Sequence, residues 1–224
     1  MRVHTGLPRG LTSAGRRAIL LTMVGTPNTD RVTRRRAATR DEILDAAWRL
    51  ADQHGLAGFS LRDLAAEVGM RAPSLYEYFE GKHAIYDAMF EQGYREFAGH
   101  MAGLRADPAD PVGSLAAAGR AFLDFCSARP ARYQLLFQRT IPDFEPSERA
   151  YAASIEALAL GREQFAEVGI AGEAALDLWI SIISGLAAQQ LANEPGGDRW
   201  RRLIDEAARM FVAHQQRTHG QERS

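Results

Sequence analysis

Residues 60–82 read SLRDLAAEVGMRAPSLYEYFEGK, two short apolar-spaced segments on either side of a Gly-Met-Arg break. Ser60 is a helix N-cap residue type, and Leu61, Leu64, Ala65 and Val68 follow at helical spacing. Gly69 stops that helix, because glycine tolerates the left-handed conformation past a helix end. Pro73 falls in the first turn of the next helix, Ala72 to Phe79, where a missing N–H costs nothing. Glu80-Gly81 ends it. Two short helices joined by a tight turn match a helix-turn-helix in length and punctuation. Such a unit lays its second helix in the DNA major groove, with that helix's first residues facing base edges.

Those residues are Arg71, Ala72, Pro73 and Ser74. Arg71 can donate two bonds to guanine O6 and N7, and Ala72 or Pro73 can touch a thymine methyl. Ser74 and Tyr78 carry hydroxyls suited to phosphate oxygens, and Arg62 is placed to do likewise. Lys82 begins the next helix, where charge and open N–H groups together favour a phosphate. Leu75, Phe79 and Tyr76 are expected on the opposite side, packed on Leu61, Leu64, Ala65 and Ile43.

Working outward, Thr39-Arg-Asp-Glu42 reads as a capping box, so the first helix is expected from Thr39 to Gly55 with Ile43, Ala47, Leu50 and Ala51 on one face. Residues 1–38, rich in Gly, Thr, Pro and Arg, read as a disordered arm, with Met23 a candidate start. The five Arg between Arg31 and Arg40 fit either a minor-groove arm or a solvated tail. Downstream, helices are expected over 82–104, 112–128, 130–139, 147–168, 173–193 and 198–216, without a β-alternating run. About nine helices define an all-α chain: arm 1–38, helix-turn-helix domain 39–84, helical ligand-binding and dimerisation domain 85–217, tail 218–224.

The 224 residues hold 46% hydrophobic and 25% charged side chains, an ordinary globular balance. One cysteine, Cys126, excludes an internal disulfide and makes the cytoplasm the expected compartment. Residues 174–192 contain Asp177, Gln189 and Gln190, and so read as a buried helix and not a membrane span. The net charge of −1 divides into +4 over residues 1–82 and −5 beyond. A basic front suits a polyanion, and the acidic remainder hints faintly at a cationic ligand. No HExxH, GxSxG, Walker or dinucleotide motif occurs, so an enzyme is not expected; neither is a metal or a cofactor.

The stretch Thr39 to Met89 resembles the DNA-binding domain of TetR-family transcriptional regulators. Ile43 to Ala47, Gly55, Phe59-Ser60, Ala65 to Gly69 and the run Ser74-Leu75-Tyr76-x-Tyr78-Phe79-x-x-Lys82 carry the likeness. The resemblance implies base reading by Arg71 to Ser74 and phosphate contacts by Tyr78 and Lys82. Glu77 departs from it, placing a negative charge where His, Arg or Asn is commoner. Arg129-Pro-Ala-Arg-Tyr-Gln-Leu-Leu-Phe137 with Trp179-x-x-x-x-Ser184-Gly185 resembles a WHG-type regulatory domain, with Ser184 in place of His.

The resemblance implies a homodimeric repressor released from a palindromic operator in double-stranded DNA by a small-molecule effector. The alternative is a helical protein-interaction or small-molecule-binding module without sequence-specific DNA binding. Phe97, Met101, Phe122, Phe125, Tyr133, Phe137, Phe144 and Phe165 are the candidates for a ligand cavity, each equally explicable as core. Leu178, Ile182, Leu186, Trp200, Ile204 and Phe211 are the candidates for a dimer face on the last two helices, where one helix is apolar on more than one side.

Overall fold

A computed structural model describes residues 27–222. Nine α-helices occur among the described residues, without strands: α1 (Pro27–His54), α2 (Leu61–Glu67), α3 (Ala72–Leu75), α4 (Lys82–Ala102), α5 (Pro111–Ala128), α6 (Pro130–Phe137), α7 (Glu148–Glu167), α8 (Glu173–Asn193) and α9 (Ile204–Glu222). The chain divides into two compact units at Glu42/Ile43, each described by itself.

In the first unit, residues 27–42 are helical, and Arg34 Nε donates to the Asp30 carbonyl at 3.2 Å. This corrects the expected disordered arm over its last residues and the expected start at Thr39. Residues 1–26, including Met23, lie outside the described residues. The local reason is compositional. Pro27 sits where proline suits a helix start, no glycine or further proline follows before Gly55, and Arg and Ala are strong helix formers. Thr39-Arg-Asp-Glu42 therefore lies inside a helix and caps nothing.

In the second unit, Ile43, Ala47, Trp48 and Ala51 of α1 pack with Leu64, Leu75, Phe79, Ile85 and Met89 into one buried cluster. Trp48 Nε1 donates to Gln92 Oε1 at 2.9 Å, joining α1 to α4. The Ser60 cap is a full capping box: Asp63 N donates to Ser60 Oγ at 3.2 Å, and Ser60 N donates to Asp63 Oδ2 at 2.8 Å. These bonds from Ser60 hold the Asp63 carboxyl below its ordinary value. Gly69 takes φ +67°, and the bonds Gly69 N to Ala66 O and Met70 N to Ala65 O close a Schellman motif.

A second buried cluster holds Leu115, Leu123, Trp179, Ile183, Ile204 and Phe211. Gly119 permits the close approach of α5 to its neighbours, since a Cβ there would meet Ile204 at 2.8 Å. α8 is long and apolar enough to cross a membrane, yet its Trp179, Ile183, Ala187 and Gln190 are buried inside the protein. Gln190 Oε1 accepts from Trp200 N at 3.0 Å, which secures the turn before α9. The last helix, expected from residue 198, opens with a 3₁₀ turn at Arg201–Leu203.

Candidate nucleic-acid interface and interior cavity

α3 is only four residues long in α geometry, shorter than its sequence pattern predicts. Beyond Leu75 the chain tightens, with Glu77 N bonded to Ser74 O and Tyr78 N to Leu75 O in i→i−3 fashion. Leu75 and Phe79 are buried against α1, α2 and α4. Arg71, the extended N-cap, and Pro73 are exposed; Ala72, Ser74 and Tyr78 are half-buried; Arg62 is exposed at the start of α2. Tyr76 is 56% exposed, which corrects its expected burial. The tighter turn carries it off the apolar face, and its phenol joins Arg71 and Pro73 on the open surface. Straight α periodicity could not reveal that.

Lys82 has a second use that spacing alone did not show. Its Nζ donates to the carbonyls of Ala57 (3.2 Å) and Phe59 (2.5 Å) and lies 4.4 Å from the Phe59 ring centroid. Desolvation lowers its pKa from the ordinary lysine value. The Tyr86 hydroxyl, one turn further along α4, donates to the Leu56 carbonyl, and burial raises its pKa to about 12. Lys82 and Tyr86 of α4 thus bond three carbonyls of the α1–α2 loop, those of Leu56, Ala57 and Phe59.

The other end of α4 lines a cavity of about 690 Å³. Phe97, Met101, Phe122, Phe137 and Phe165 line it as expected from sequence, with Tyr94, Tyr151, Trp179 and Ser184. The other candidates lie elsewhere. Phe125 stacks under the buried Arg132 guanidinium at 3.7 Å, Tyr133 packs in the second core cluster, and Phe144 packs edge-on to Tyr86. Cys126 is fully buried, and burial pushes its thiol pKa up, leaving an inert thiol. Between the two sites, Asp87 of α4 accepts from Ser147 N (2.6 Å) and Ser147 Oγ (2.9 Å), and buried Glu91 accepts from Arg149 at 2.6 Å. These bonds fasten the start of α7, a cavity wall, to α4.

On the surface of α8 and α9, Leu178, Ile182, Leu186, Leu203, Ala207 and Met210 line an apolar groove. Leu178, Leu203 and Met210 are 42, 44 and 65% exposed. Ile204, expected at the dimer face, is core instead, buried against Gly119, and Phe211 is buried against Trp179 with only its edge lining the groove. Trp200 is half-buried beside the α8–α9 turn. Leu203, part of the apolar stripe expected on this helix, and Met210, which the sequence reading missed, occupy its outward positions. No group of three or more candidate metal ligands occurs among the described residues.

Helices α1, α2 and α3, packed in one buried cluster with Arg71 to Pro73 at the open surface, form a helix-turn-helix arrangement. Residues 43–89 match the family model described as bacterial regulatory proteins, tetR family. The HTH-type transcriptional repressor DrrR1 of Streptomyces coeruleorubidus is 42% identical over 57 residues, 25% of this chain and 21% of that one. The HTH-type transcriptional regulator YobS of Bacillus subtilis is 32% identical over 96 residues, 43% of this chain and 50% of that one. The chain thus matches half or less of the length of these curated relatives. In fold, the regulatory protein SCO4313 superposes with a TM-score of 0.65 at 21% identity, covering 81% of this chain and 98% of that one. Residues 43–89 are thus similar to the tetR-family model, and the curated relatives that match this part of the chain are named as HTH-type transcriptional regulators.

Proposed function

We propose that the protein is a homodimeric, cytoplasmic transcriptional repressor that binds a palindromic operator and leaves it when a small molecule occupies the α4–α8 cavity. The observation that carries this reading is α4 itself, which bonds the helix-turn-helix loop through Lys82 and Tyr86 and lines the cavity through Tyr94, Phe97 and Met101. An effector that displaces α4 or α7 changes the seating of α2 and α3. Such coupling is typically about 1–3 kcal/mol and reciprocal, so operator weakens effector binding by the same factor.

Arg71, Ala72, Pro73 and Ser74 read bases in this account. Arg62, Tyr78 and Lys82 hold phosphates, and Tyr76 joins them. The apolar groove of α8 and α9 supports an isologous interface, with Leu178, Ile182 and Leu186 packed on the same residues of a second copy. The likeness of the C-terminal part to a WHG-type domain rests on the residue pattern alone.

Selection from a random duplex pool at two salt concentrations tests the reading. Enrichment of one palindrome is expected. Salt-sensitive binding without a motif would demote the protein to a non-specific binder, since the phosphate term is independent of sequence. No binding at low salt would favour the helical-module alternative.

A further inference from the structure

We propose that the effector is an uncharged, ring-bearing lipophile with a neutral polar group, which deepens the ligand-responsive reading above and rests on it. The cavity of about 690 Å³ falls in the range of sites for drug-sized ligands. Its only charged lining residues, among those described, are Arg139 and Glu145. They pair with each other at 2.9 Å and are 84 and 80% exposed, so they mark a solvated edge and offer no buried counter-ion. A carboxylate held among the remaining side chains would lose its hydration without a partner, and an ammonium would have only aromatic faces and no counter-ion in exchange. Most of the acidic surplus of this part of the chain therefore lies outside the cavity lining, and the one carboxylate there, Glu145, is exposed and already paired with Arg139.

The wall itself favours rings. Phe97, Phe122 and Phe137 pack mutually edge-on at 5.2–6.0 Å between centroids, with Tyr94 5.7 Å from Phe137. Such a cluster presents faces and edges to a flat ligand, which gains more than area burial alone. The Tyr94 and Ser154 hydroxyls donate to the Leu136 and Tyr151 carbonyls, so Tyr151, Gln164 and Ser184 are the side chains that offer polar atoms to a neutral group. Gln164 spends its amide N–H on the Met101 carbonyl at 3.0 Å, leaving Oε1 as an acceptor. The Ser184 hydroxyl lines the cavity with no hydrogen-bond partner among the described residues.

Three matched fluorescent probes test the class: diphenylhexatriene, its trimethylammonium derivative and its propionic acid derivative. All are titrated into the full chain, alone and with the selected duplex. The neutral probe is expected to bind one per chain, at least roughly tenfold more tightly than either charged form, because desolvation penalises only those two. A variant locates the site. Gly161 lines the cavity, and a Cβ there meets only Leu176, at an ordinary 3.8 Å. Gly161→Phe is therefore expected to take up part of the cavity and markedly weaken probe binding while the melting temperature holds.

Equal binding of a charged probe, no binding of any probe, or undiminished binding to Gly161→Phe would overturn the proposal. Release of the duplex is read separately. A charged probe that binds and releases DNA defeats the ligand class but leaves the repressor reading standing. A neutral probe that binds with the expected preference, and leaves the duplex bound, supports the class and defeats the effector role.

Discussion

Arg71 stands at the N-cap of α3 on extended backbone, exposed, immediately before the helix turn that enters the groove in this account. Arg71→Ala should cost about 1–3 kcal/mol of binding and relax preference at one base pair, measured by anisotropy across singly substituted duplexes. Equal loss on every duplex would make Arg71 a phosphate contact. Lys82 is held to two roles by its position. Lys82→Ala should lower unfolding stability by about 1.5–3 kcal/mol, as for lost hydrogen bonds to a charged group, and should reduce the salt slope by about one. A retained slope would assign the lysine to the loop alone. Tyr86 supplies a pH test. Its folded pKa of about 12 lies above the ordinary 10, so its stabilisation is complete below pH 10 and is lost as pH rises toward 12. Tyr86→Phe should flatten that alkaline decline in melting temperature; an unchanged decline would place its origin elsewhere. At this scale Leu75 and Phe79 were legible as anchors from their spacing. Tyr76 was not, because its exposure follows from a 3₁₀ turn that the sequence pattern reads as a continued helix.

Among the elements, the punctuation residues were the readable ones. Ser60, Gly69, Pro73, Ser147 and Gly169 all stand where helix-end chemistry places them. The start of α1 was misread for a related reason: Thr39-Arg-Asp-Glu42 satisfies a capping pattern, but the helical composition before it decides the outcome. The bond between α4 and α7 belongs to tertiary structure, and nothing in the spacing of Asp87 and Ser147 announces it. Asp87→Ala should remove both bonds to Ser147 and cost about 1 kcal/mol in urea unfolding, the order of magnitude of a lost exposed hydrogen bond. It should also shrink the effector-induced loss of DNA affinity. An intact effector response in that variant would route the coupling around the α7 start.

For the whole molecule, the apolar stripe of α9 showed that something packs there, but amphipathicity cannot say which residues face the core and which face a partner. Ile204 and Phe211 went inward, and Leu203 and Met210 outward. Which aromatics surround a cavity was hidden likewise, since Phe97 and Phe125 look alike in sequence and differ only in what α6 packs against them. Met210→Glu, at the exposed centre of the groove, should leave the melting temperature of a dilute sample within about 0.5 kcal/mol of equivalent stability, as for surface changes. It should also yield monomers by sedimentation and lose palindrome binding. A stable dimer in that variant would move the interface off the α8–α9 face.

The central claim is that two copies seat two α3 segments in successive major grooves. Hydroxyl-radical footprinting on the selected duplex tests it most directly. Two protected patches centred about 34–36 Å apart, one helical turn, with two chains bound per duplex, are predicted. A single protected patch, or protection spread evenly along the backbone, would contradict the account.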